Sequence, residues 1–308
     1  MEHKNESEVD LTVSSGKFSL ANPVIAASGT FGYGLEYDPF VDLNKLGGFC
    51  TKGLSLKPRV GNPVPRMVET PSGMLNAIGL ENIGLERFLR EKMPLLRQYK
   101  TRIIVNFFGE SVEEYVEMAA ALSDVDRVDA LEMNISCPNV SEGGTFFSSD
   151  PKLVQEVVRR ARNATSKFLM VKLSPNVTDI TEIAKAAETA GADALSLINT
   201  CLGMSIDVET RKPVLANITG GLSGPAIRPI ALAMVYRTVR AVKIPVVGMG
   251  GIFCAEDALQ FLIAGASAIQ VGTANFIEPA ATMNILEGIR SYCQSHGIKK
   301  LVDLRLFG

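Results

Sequence analysis

Short apolar runs alternate with amphipathic stretches along most of the chain. Each run is almost continuously apolar, which is typical of parallel strands buried on both faces of a sheet. The runs that predict strands are Val24–Ser28, Gly48–Lys52, Arg102–Phe107, Ala130–Ile135, Phe168–Leu173, Ala194–Asn199, Pro245–Met249 and Ala268–Gly272. The stretches that predict helices are Val112–Leu122, Pro151–Ala164, Ile180–Ala190, Ile227–Ala241, Ala255–Ala264 and Pro279–Cys293. Such strand–helix units predict an α/β fold closed as a (β/α)8 barrel, the TIM barrel.

Two features stand outside this repeat. Leu11–Leu20, with Ser14-Ser15-Gly16 at its centre, predicts a short hairpin ahead of the barrel. Leu54–Lys100 is a long insert after the second strand, and its first half is rich in proline and glycine. Long inserts at the top of a barrel commonly form a wall of the active site, although a surface excursion is an equally good interpretation of Leu56–Val68. No linker interrupts the pattern, so we interpret residues 1–308 as a single domain.

Composition and charge argue against several classes of function. A formal net charge of -2 argues against a protein that grips nucleic acid through phosphate contacts. No apolar segment follows the polar start of the chain, so we expect neither a signal peptide nor a membrane anchor. The five cysteines are scattered and include no C-x-x-C pair, which argues against a metal cluster on this chain and favours a reducing compartment, the cytoplasm. Those cysteines are Cys50, Cys137, Cys201, Cys254 and Cys293.

Polar residues stand at the predicted carboxyl ends of the strands, where the active sites of such barrels lie. The set contains two lysines and several amides or hydroxyls but no carboxylate, which favours an electron-rich ligand over a divalent metal. Its members are Ser28, Lys52, Asn106, Asn134 with Cys137, Lys172, Asn199-Thr200, Gly250-Gly251 and Gly272-Thr273. Each could also be a satisfied polar group at a strand end, so the inference depends on their convergence.

Glycine clusters after the last strands predict a phosphate site. They lie at Gly220–Pro225, Gly248–Ile252 and Val271–Ala274, and the loops after strands seven and eight are where such barrels bind phosphate. Lys172 could form a Schiff base or stabilise an anion. With amides around it, the lysine suits the pyrimidine edge of a flavin. A single phosphate site then favours FMN, with Cys137 as the base that removes a substrate proton.

Five segments resemble the dihydroorotate dehydrogenase family over nearly the whole chain. They are Asn76–Leu80, Asn134-Ile135-Ser136-Cys137-Pro138-Asn139, Val171–Pro175, Gly250-Gly251-Ile252 and Val271-Gly272-Thr273. A cysteine as base marks the soluble class 1 enzymes, whereas a serine marks the membrane-associated class. Within class 1, Gly73–Leu80 resembles the NAD-linked branch, class 1B, because the fumarate-using class 1A has a serine–methionine pair where Ala77-Ile78 stand.

The resemblance implies oxidation of (S)-dihydroorotate to orotate in de novo pyrimidine biosynthesis, and a role for each matching residue. Cys137 would take the C5 proton while the C6 hydride passes to FMN, and Val140–Ser149 would close over the substrate. Residues implied to hold the substrate are Lys52, Asn76, Ala77, Ile78, Gly79, Leu80, Asn134, Asn139, Asn199 and Thr200. Residues implied to surround FMN are Ser28, Lys52, Gly53, Asn106, Asn134, Lys172, Ile198, Gly224, Gly250, Gly251, Gly272 and Thr273.

The resemblance also implies a partner. NAD-linked enzymes of this family pass electrons to a separate subunit that carries FAD and a 2Fe-2S cluster, and this chain has the motif for neither. We therefore expect a homodimer core within a heterotetramer. The alternatives are a fumarate-linked class 1A-type homodimer, a dihydropyrimidine dehydrogenase-like flavin module, a dihydrouridine synthase, an aldolase-type barrel that uses Lys172 as a Schiff base, and a non-catalytic scaffold. A basic surface for tRNA, which a dihydrouridine synthase needs, is not suggested by the charge balance.

Overall fold

The computed structural model describes residues 9–16, 18–136 and 147–305. Its strands, in chain order, are β1 (Val13–Ser15), β2 (Phe18–Leu20), β3 (Val24–Ala26), β4 (Gly48–Cys50), β5 (Met67–Thr70), β6 (Gly73–Asn76), β7 (Arg102–Phe107), β8 (Ala130–Asn134), β9 (Phe168–Lys172), β10 (Ala194–Leu197), β11 (Cys201–Met204), β12 (Ile206–Asp207), β13 (Lys212–Pro213), β14 (Thr219–Ser223), β15 (Val246–Met249) and β16 (Ala268–Val271). Its helices are α1 (Leu85–Arg87), α2 (Met93–Leu96), α3 (Val112–Ser123), α4 (Pro151–Asn163), α5 (Ile180–Thr189), α6 (Arg228–Ala241), α7 (Ala255–Ile263), α8 (Ala274–Ile277) and α9 (Ala281–Ser295), with one π-helical turn at Phe88–Lys92.

Eight parallel strands close into a barrel in the order β10-β15-β16-β3-β4-β7-β8-β9. The prediction of a (β/α)8 barrel is therefore confirmed, and the predicted strands end within two residues of the observed ones. Nearly every residue of these strands is buried, because the barrel interior covers one face and the helices cover the other. Side chains alternate between the two faces, so residues two apart on a strand occupy successive layers inside the barrel.

The predicted hairpin closes the amino end of the barrel. Strands β1 and β2 pair antiparallel, and the Phe18 ring stacks on Phe168 with centroids 4.6 Å apart. A separate apolar cluster fills the barrel interior above them, with Ile25, Ile104 and Met170 among its members. This end of the barrel is packed with hydrocarbon, so the polar site lies at the opposite end.

The insert after β4 does more than cover a surface. Its strands β5 and β6 join β14 and β11 in a four-stranded antiparallel sheet of order β11-β14-β6-β5. The sequence analysis placed no strands between Thr200 and the start of α6, where β11 to β14 are found. Because β14 also leads into the Gly224 turn, this sheet connects the insert to the loops at the carboxyl end of the barrel.

Candidate active site

Four predicted site residues project from neighbouring strands at the carboxyl end of the barrel. Asn106 is on β7, Asn134 ends β8, Lys172 ends β9, and Lys52 follows β4 by two residues. In the parallel register Asn134 lies beside Lys172. The fold therefore brings together the amide and lysine side chains that the sequence predicted to converge.

Two of the predicted substrate residues meet above the barrel. The Asn199 side-chain Nδ2 lies 3.4 Å from Asn134 Oδ1, and Asn199 Oδ1 accepts a 2.9 Å hydrogen bond from the Thr200 N–H. Asn134 Oδ1 also accepts from the Ser136 N–H at 3.1 Å. The Tyr115 hydroxyl donates to the Asn134 carbonyl at 2.8 Å and so anchors the end of β8. These bonds fix amide groups at the mouth of the barrel.

The insert contributes Asn76 to the same region. Asn76 is paired with Gly221 in the antiparallel register of β6 and β14. Thr200 lies on the same glycine, because a β-carbon built on Gly221 would be 2.0 Å from Thr200 Oγ1. Gly221 therefore brings two predicted substrate residues, from the insert and from the end of β10, into one place.

The residues after Asn76 are held by one asparagine. The Asn62 side chain donates to the Ala77 carbonyl at 3.0 Å, and its backbone N–H donates to the Ile78 carbonyl at 2.9 Å. Gly79 has φ 75° and packs so closely on Asn62 that a β-carbon would lie 2.5 Å from the Asn62 nitrogen. Leu80 follows with φ 60°. The segment is thus a shaped loop, and the Ala77 N–H and the Ala77 and Ile78 carbonyls already have protein partners.

Lys52 precedes the insert by two residues. It lines a cavity of about 650 Å³ together with Tyr33, Glu81 and Arg87, among other residues. Burial lowers the pKa of the Lys52 ammonium from its usual 10.5; the charge of Glu81 opposes that shift and Arg66 adds to it. A partly dry ammonium beside a cavity is suited to binding an anionic group. Glycine is needed at position 53, since a β-carbon there would approach Asn106 Oδ1 to 2.9 Å.

The glycine loops that were predicted to hold phosphate lie against one another. Thr273 donates a 2.8 Å hydrogen bond to Ser223, which joins the loop after β16 to the end of β14. Gly251 has φ 77°, and a β-carbon on it would lie 2.8 Å from the Gly224 carbonyl oxygen. Gly224 itself has φ 99°. Three loops that are far apart in sequence therefore meet around one space at the carboxyl end of the barrel.

The remaining predicted cofactor residues border that space. A β-carbon on Gly250 would lie 3.2 Å from Ile198 Cγ1, and Gly272 has its nearest neighbour, the Ala27 β-carbon, at 3.6 Å. Ser28 follows Ala27, and its backbone hydrogen-bonds the Cys50 thiol. An elongated ligand with a phosphate at one end suits this arrangement, because Gly272 leaves room at that end while lysines and amides lie at the other.

Cys137, Asn139 and most of the predicted closing segment Val140–Ser149 lie outside the described residues. The described chain before them stops at Ser136, whose buried hydroxyl has no hydrogen-bond partner in the described structure. A buried polar atom without a partner at the mouth of the barrel is where a ligand or a loop group is expected. The described part of the chain after β8 ends at the mouth of the barrel, and the role of Cys137 stays a prediction.

A buried carboxylate was missed by the sequence analysis. Glu132 lies inside the barrel one layer below Asn134, and its side chain is fully buried. Its carboxylate accepts hydrogen bonds from Asn106 at 2.6 Å and Ser196 at 2.9 Å, and Lys172 Nζ is 3.9 Å away. The predicted site residues stand at strand ends, whereas Glu132 lies two residues before the end of β8. The signal was a glutamate inside an apolar strand, which is costly to bury unless it is paired.

Within residues 9–16, 18–136 and 147–305, no group of three or more His, Cys, Asp or Glu side chains could hold a metal ion. Across the same residues no helix is both long and apolar enough to cross a bilayer.

A closed barrel with amides, lysines and glycine loops gathered at the carboxyl ends of its strands is the arrangement of a (β/α)8-barrel enzyme. The family model described as dihydroorotate dehydrogenase matches residues 10–292. This chain belongs to the dihydroorotate dehydrogenase family, as its motifs predicted.

Curated relatives agree along almost their full length. A protein of Pelobacter propionicus named dihydroorotate dehydrogenase B (NAD(+)), catalytic subunit, is 58% identical over 295 residues, which is 96% of this chain and 97% of the relative. Proteins of the same name from Thermodesulfovibrio yellowstonii and Phocaeicola vulgatus are 57% and 55% identical, again over 96% of this chain and 97% of each relative. The expected resemblance to the NAD-linked branch is thereby confirmed.

Proposed function

We propose that this chain is the catalytic subunit of an NAD-linked dihydroorotate dehydrogenase, which oxidises (S)-dihydroorotate to orotate in pyrimidine biosynthesis. The observation that carries this proposal is the contact of Asn199 with Asn134 and of Thr200 with the Gly221 strand that pairs with Asn76, at the mouth of a barrel whose relatives bear that enzyme name. Dihydroorotate is a ring with N–H and C=O groups and one carboxylate. Amide side chains can hydrogen-bond the ring groups, and an ammonium can bind the carboxylate.

Each group in the site has a part in this reaction. Lys52 binds the substrate carboxylate, and the amides of Asn134 and Asn199 hydrogen-bond the ring and fix its orientation. Cys137 is the base that takes the proton from C5, and Asn139 and the segment after it complete the substrate site. When bound, FMN supplies the acceptor for the hydride from C6. Removal of water by a closed loop would strengthen every one of these polar contacts.

The residues present suit FMN as the cofactor. Gly224, Gly250, Gly251, Gly272 and Thr273 form a cradle in which β-carbons added at Gly224, Gly250 and Gly251 would lie within 3 Å of other protein atoms, so glycine is what lets these loops pack together, while Gly272 has no neighbour closer than 3.6 Å and leaves its backbone open to a phosphate. At the other end Lys172 and Asn106 supply a positive charge and an amide for the pyrimidine edge. Ser28, Gly53, Asn134 and Ile198 line the space between.

A second copy of the chain and a different subunit complete the proposed assembly. Apolar side chains are exposed along β11, β12 and the turns after them, in a surface made of Leu202, Met204, Ile206, Val208 and Ile218. Leu202 is 70% exposed and Val208 78% exposed, and the grouping of such residues on β11, β12 and their turns supports a homodimer. We assign FAD and the 2Fe-2S cluster to a separate electron-transfer subunit, in a heterotetramer located in the cytoplasm.

The visible spectrum of the purified chain tests the proposal. We expect the protein to show a flavin absorption band and to release FMN on denaturation. Under anaerobic conditions the band should bleach when dihydroorotate is added. The chain alone should then reduce NAD slowly, and addition of the electron-transfer subunit should restore NAD reduction. A colourless protein that is covalently linked to a carbonyl substrate after borohydride treatment would instead favour the aldolase alternative. Rapid reoxidation by fumarate would favour the class 1A alternative, and bleaching by dihydrouracil but not dihydroorotate would favour the dihydropyrimidine dehydrogenase alternative.

A further inference from the structure

Both oxygens of the Glu132 carboxylate have side-chain partners, and the two sets of partners lie in different parts of the barrel. Oε2 accepts from Ser196 Oγ at 2.9 Å and from Gln270 Nε2 at 2.6 Å. Oε1 accepts from Asn106 Nδ2 at 2.6 Å and lies 3.9 Å from Lys172 Nζ. One oxygen is thus fixed to the walls of the barrel, and the other contacts two residues assigned to the cofactor.

The backbone register explains why one carboxylate reaches both. Glu132 is paired with Asn106 across β7 and β8, whereas Lys172 pairs with Asn134, the next inward-facing residue of β8. The glutamate therefore lies directly below the layer in which Lys172 and Asn134 meet the ligand. A carboxylate at this depth reaches the cofactor only through the residues above it.

Burial fixes the geometry of the contact between Glu132 and its partners Asn106 and Lys172. Glu132 is fully buried and Lys172 is 6% exposed. Charges removed from water in this way are stable only in a well-formed set of hydrogen bonds, so the orientations of the partners are closely fixed. The Cys50 thiol, on β4, also hydrogen-bonds Glu132 and is uncharged, because burial and the glutamate charge raise its pKa well above the usual value. The other hydrogen-bond partners of Glu132 carry no charge; they are Asn106, Ser196 and Gln270.

We propose that Glu132 is a positioning residue for the flavin: its carboxylate holds the Asn106 amide and the Lys172 ammonium toward the cofactor and balances the lysine charge. This inference rests on the proposed function, since it requires FMN to bind above Lys172. It adds a residue that acts through its neighbours, because both oxygens of the Glu132 carboxylate have protein partners. The negative charge also opposes the negative charge that the flavin gains on reduction, so Glu132 keeps the reduction potential lower than Lys172 alone would.

Replacement of Glu132 separates position from charge. Glu132→Gln removes the negative charge, and we expect FMN affinity to fall by at least about tenfold. The midpoint potential of the bound flavin should rise by roughly 30 mV, the shift of a two-electron couple when binding of the reduced flavin strengthens tenfold relative to binding of the oxidised flavin. Glu132→Asp keeps the charge but withdraws it from Asn106 and Lys172, so affinity should fall while the potential stays near that of the wild type. The aspartate variant also keeps the test open if the glutamine variant does not fold.

A double-mutant cycle with Lys172→Met shows whether the two residues act together. If Glu132 works through Lys172, the loss of FMN affinity in the double variant is much smaller than the sum of the single losses. Asp129→Asn is the matched control, because Asp129 precedes β8 at the opposite end of the strand and accepts from the Ile103 N–H at 2.9 Å. It should lower thermal stability and leave FMN affinity and potential unchanged.

The outcomes are distinct. Folded Glu132→Gln protein with wild-type FMN affinity and potential, or additive losses in the cycle, would overturn the role of Glu132 while leaving the proposed function intact. Failure of the wild-type apoprotein to bind FMN at all would overturn both. Equal loss of FMN affinity in Asp129→Asn would also overturn the inference, because the effect would then follow from general destabilisation.

Discussion

Gly221 and Thr200 are packed so tightly that a side chain at residue 221 would occupy the position of the threonine hydroxyl, with Oγ1 only 2.0 Å from a built β-carbon. Gly221 also pairs with Asn76 across β14 and β6. One glycine therefore sets the separation between the insert and the end of β10. Its absence of a side chain is a requirement of the proposed substrate site.

Gly221→Ala should weaken substrate binding and spare the cofactor. The added methyl group must push Thr200 away, and it also shifts the strand that carries Asn76. We expect KM for dihydroorotate to rise by about tenfold, the equivalent of one lost hydrogen bond of about 1.4 kcal/mol. The FMN content of the purified protein should stay near one per chain. Steady-state kinetics and flavin quantification of the same preparation measure both.

Gly203→Ala is the matched control for that substitution. Gly203 lies on β11, paired with Gly220 of the same sheet, and an added β-carbon would approach only the end of the Leu75 side chain, at 2.8 Å. A leucine methyl can rotate away, so KM should change little. An equal rise of KM in both variants would show that the sheet as a whole, rather than the Thr200 contact, is responsible.

Cys137→Ser should remove most of the turnover while leaving the flavin bound. A thiol with a pKa of about 8.5 provides some thiolate near neutral pH, whereas a serine hydroxyl stays protonated. Positioned proton transfer contributes about 10²–10⁴-fold to rate, so a loss within that range is expected. Anaerobic stopped-flow bleaching by dihydroorotate measures it. Cys254→Ser, at an exposed cysteine, serves as the control, and near-normal bleaching by Cys137→Ser would remove Cys137 from the role of base.

The barrel and most of its strand ends could be predicted because burial on both faces imposes continuous apolar runs. Lys52, Asn106, Asn134 and Lys172 stand out at the ends of such runs, since polar residues there interrupt a pattern that is otherwise strict. Their convergence followed from the parallel direction of the strands alone. Position in a repeating fold was therefore sufficient to predict that these four residues lie at one end of the barrel.

Other parts of the site depend on contacts that no local pattern records. Strands β11 and β14 are rich in glycine, and their pairing with the insert is long-range, so the sequence did not indicate a sheet there. Glu132 was missed for a related reason. Its neighbours Ser196 and Gln270 come from strands 64 and 138 residues away, and only the closed barrel brings them within hydrogen-bonding distance.

Orotate binding should weaken at alkaline pH because of Lys52. Burial lowers its pKa below 10.5, so the free protein loses the ammonium earlier than an exposed lysine would as the pH rises. The substrate carboxylate favours the charged form, and binding is therefore strongest below the lowered pKa and declines as pH passes through it. Orotate titrations from pH 6 to pH 10, followed by the flavin spectrum, measure this decline.

Lys52→Arg provides the comparison for this pH dependence. The guanidinium stays charged throughout the range, so the alkaline decline should disappear even if affinity at neutral pH is reduced. If the decline persists unchanged in the arginine variant, another group controls orotate binding at high pH.

Cys50 should resist alkylation in the native protein. Burial, and after it the charge of Glu132, raise the pKa of its thiol well above the usual value, so it stays a thiol at pH 8. Cys254 is exposed and should react with iodoacetamide at least about tenfold faster. Peptide mass spectrometry before and after denaturation distinguishes the two sites. Comparable native labelling of both would show that the barrel interior opens readily.

The exposed apolar surface around β11 and β12 predicts that dimerisation can be abolished there. Ile206→Glu with Val208→Glu places two like charges on each copy of a two-fold interface, where burial without partners is unfavourable. We expect light scattering to report the mass of one chain instead of two, with FMN still bound. Val302→Glu is the control, because Val302 is also exposed but lies near the end of the chain, outside this surface. A dimer that survives the double substitution would place the contact on another face.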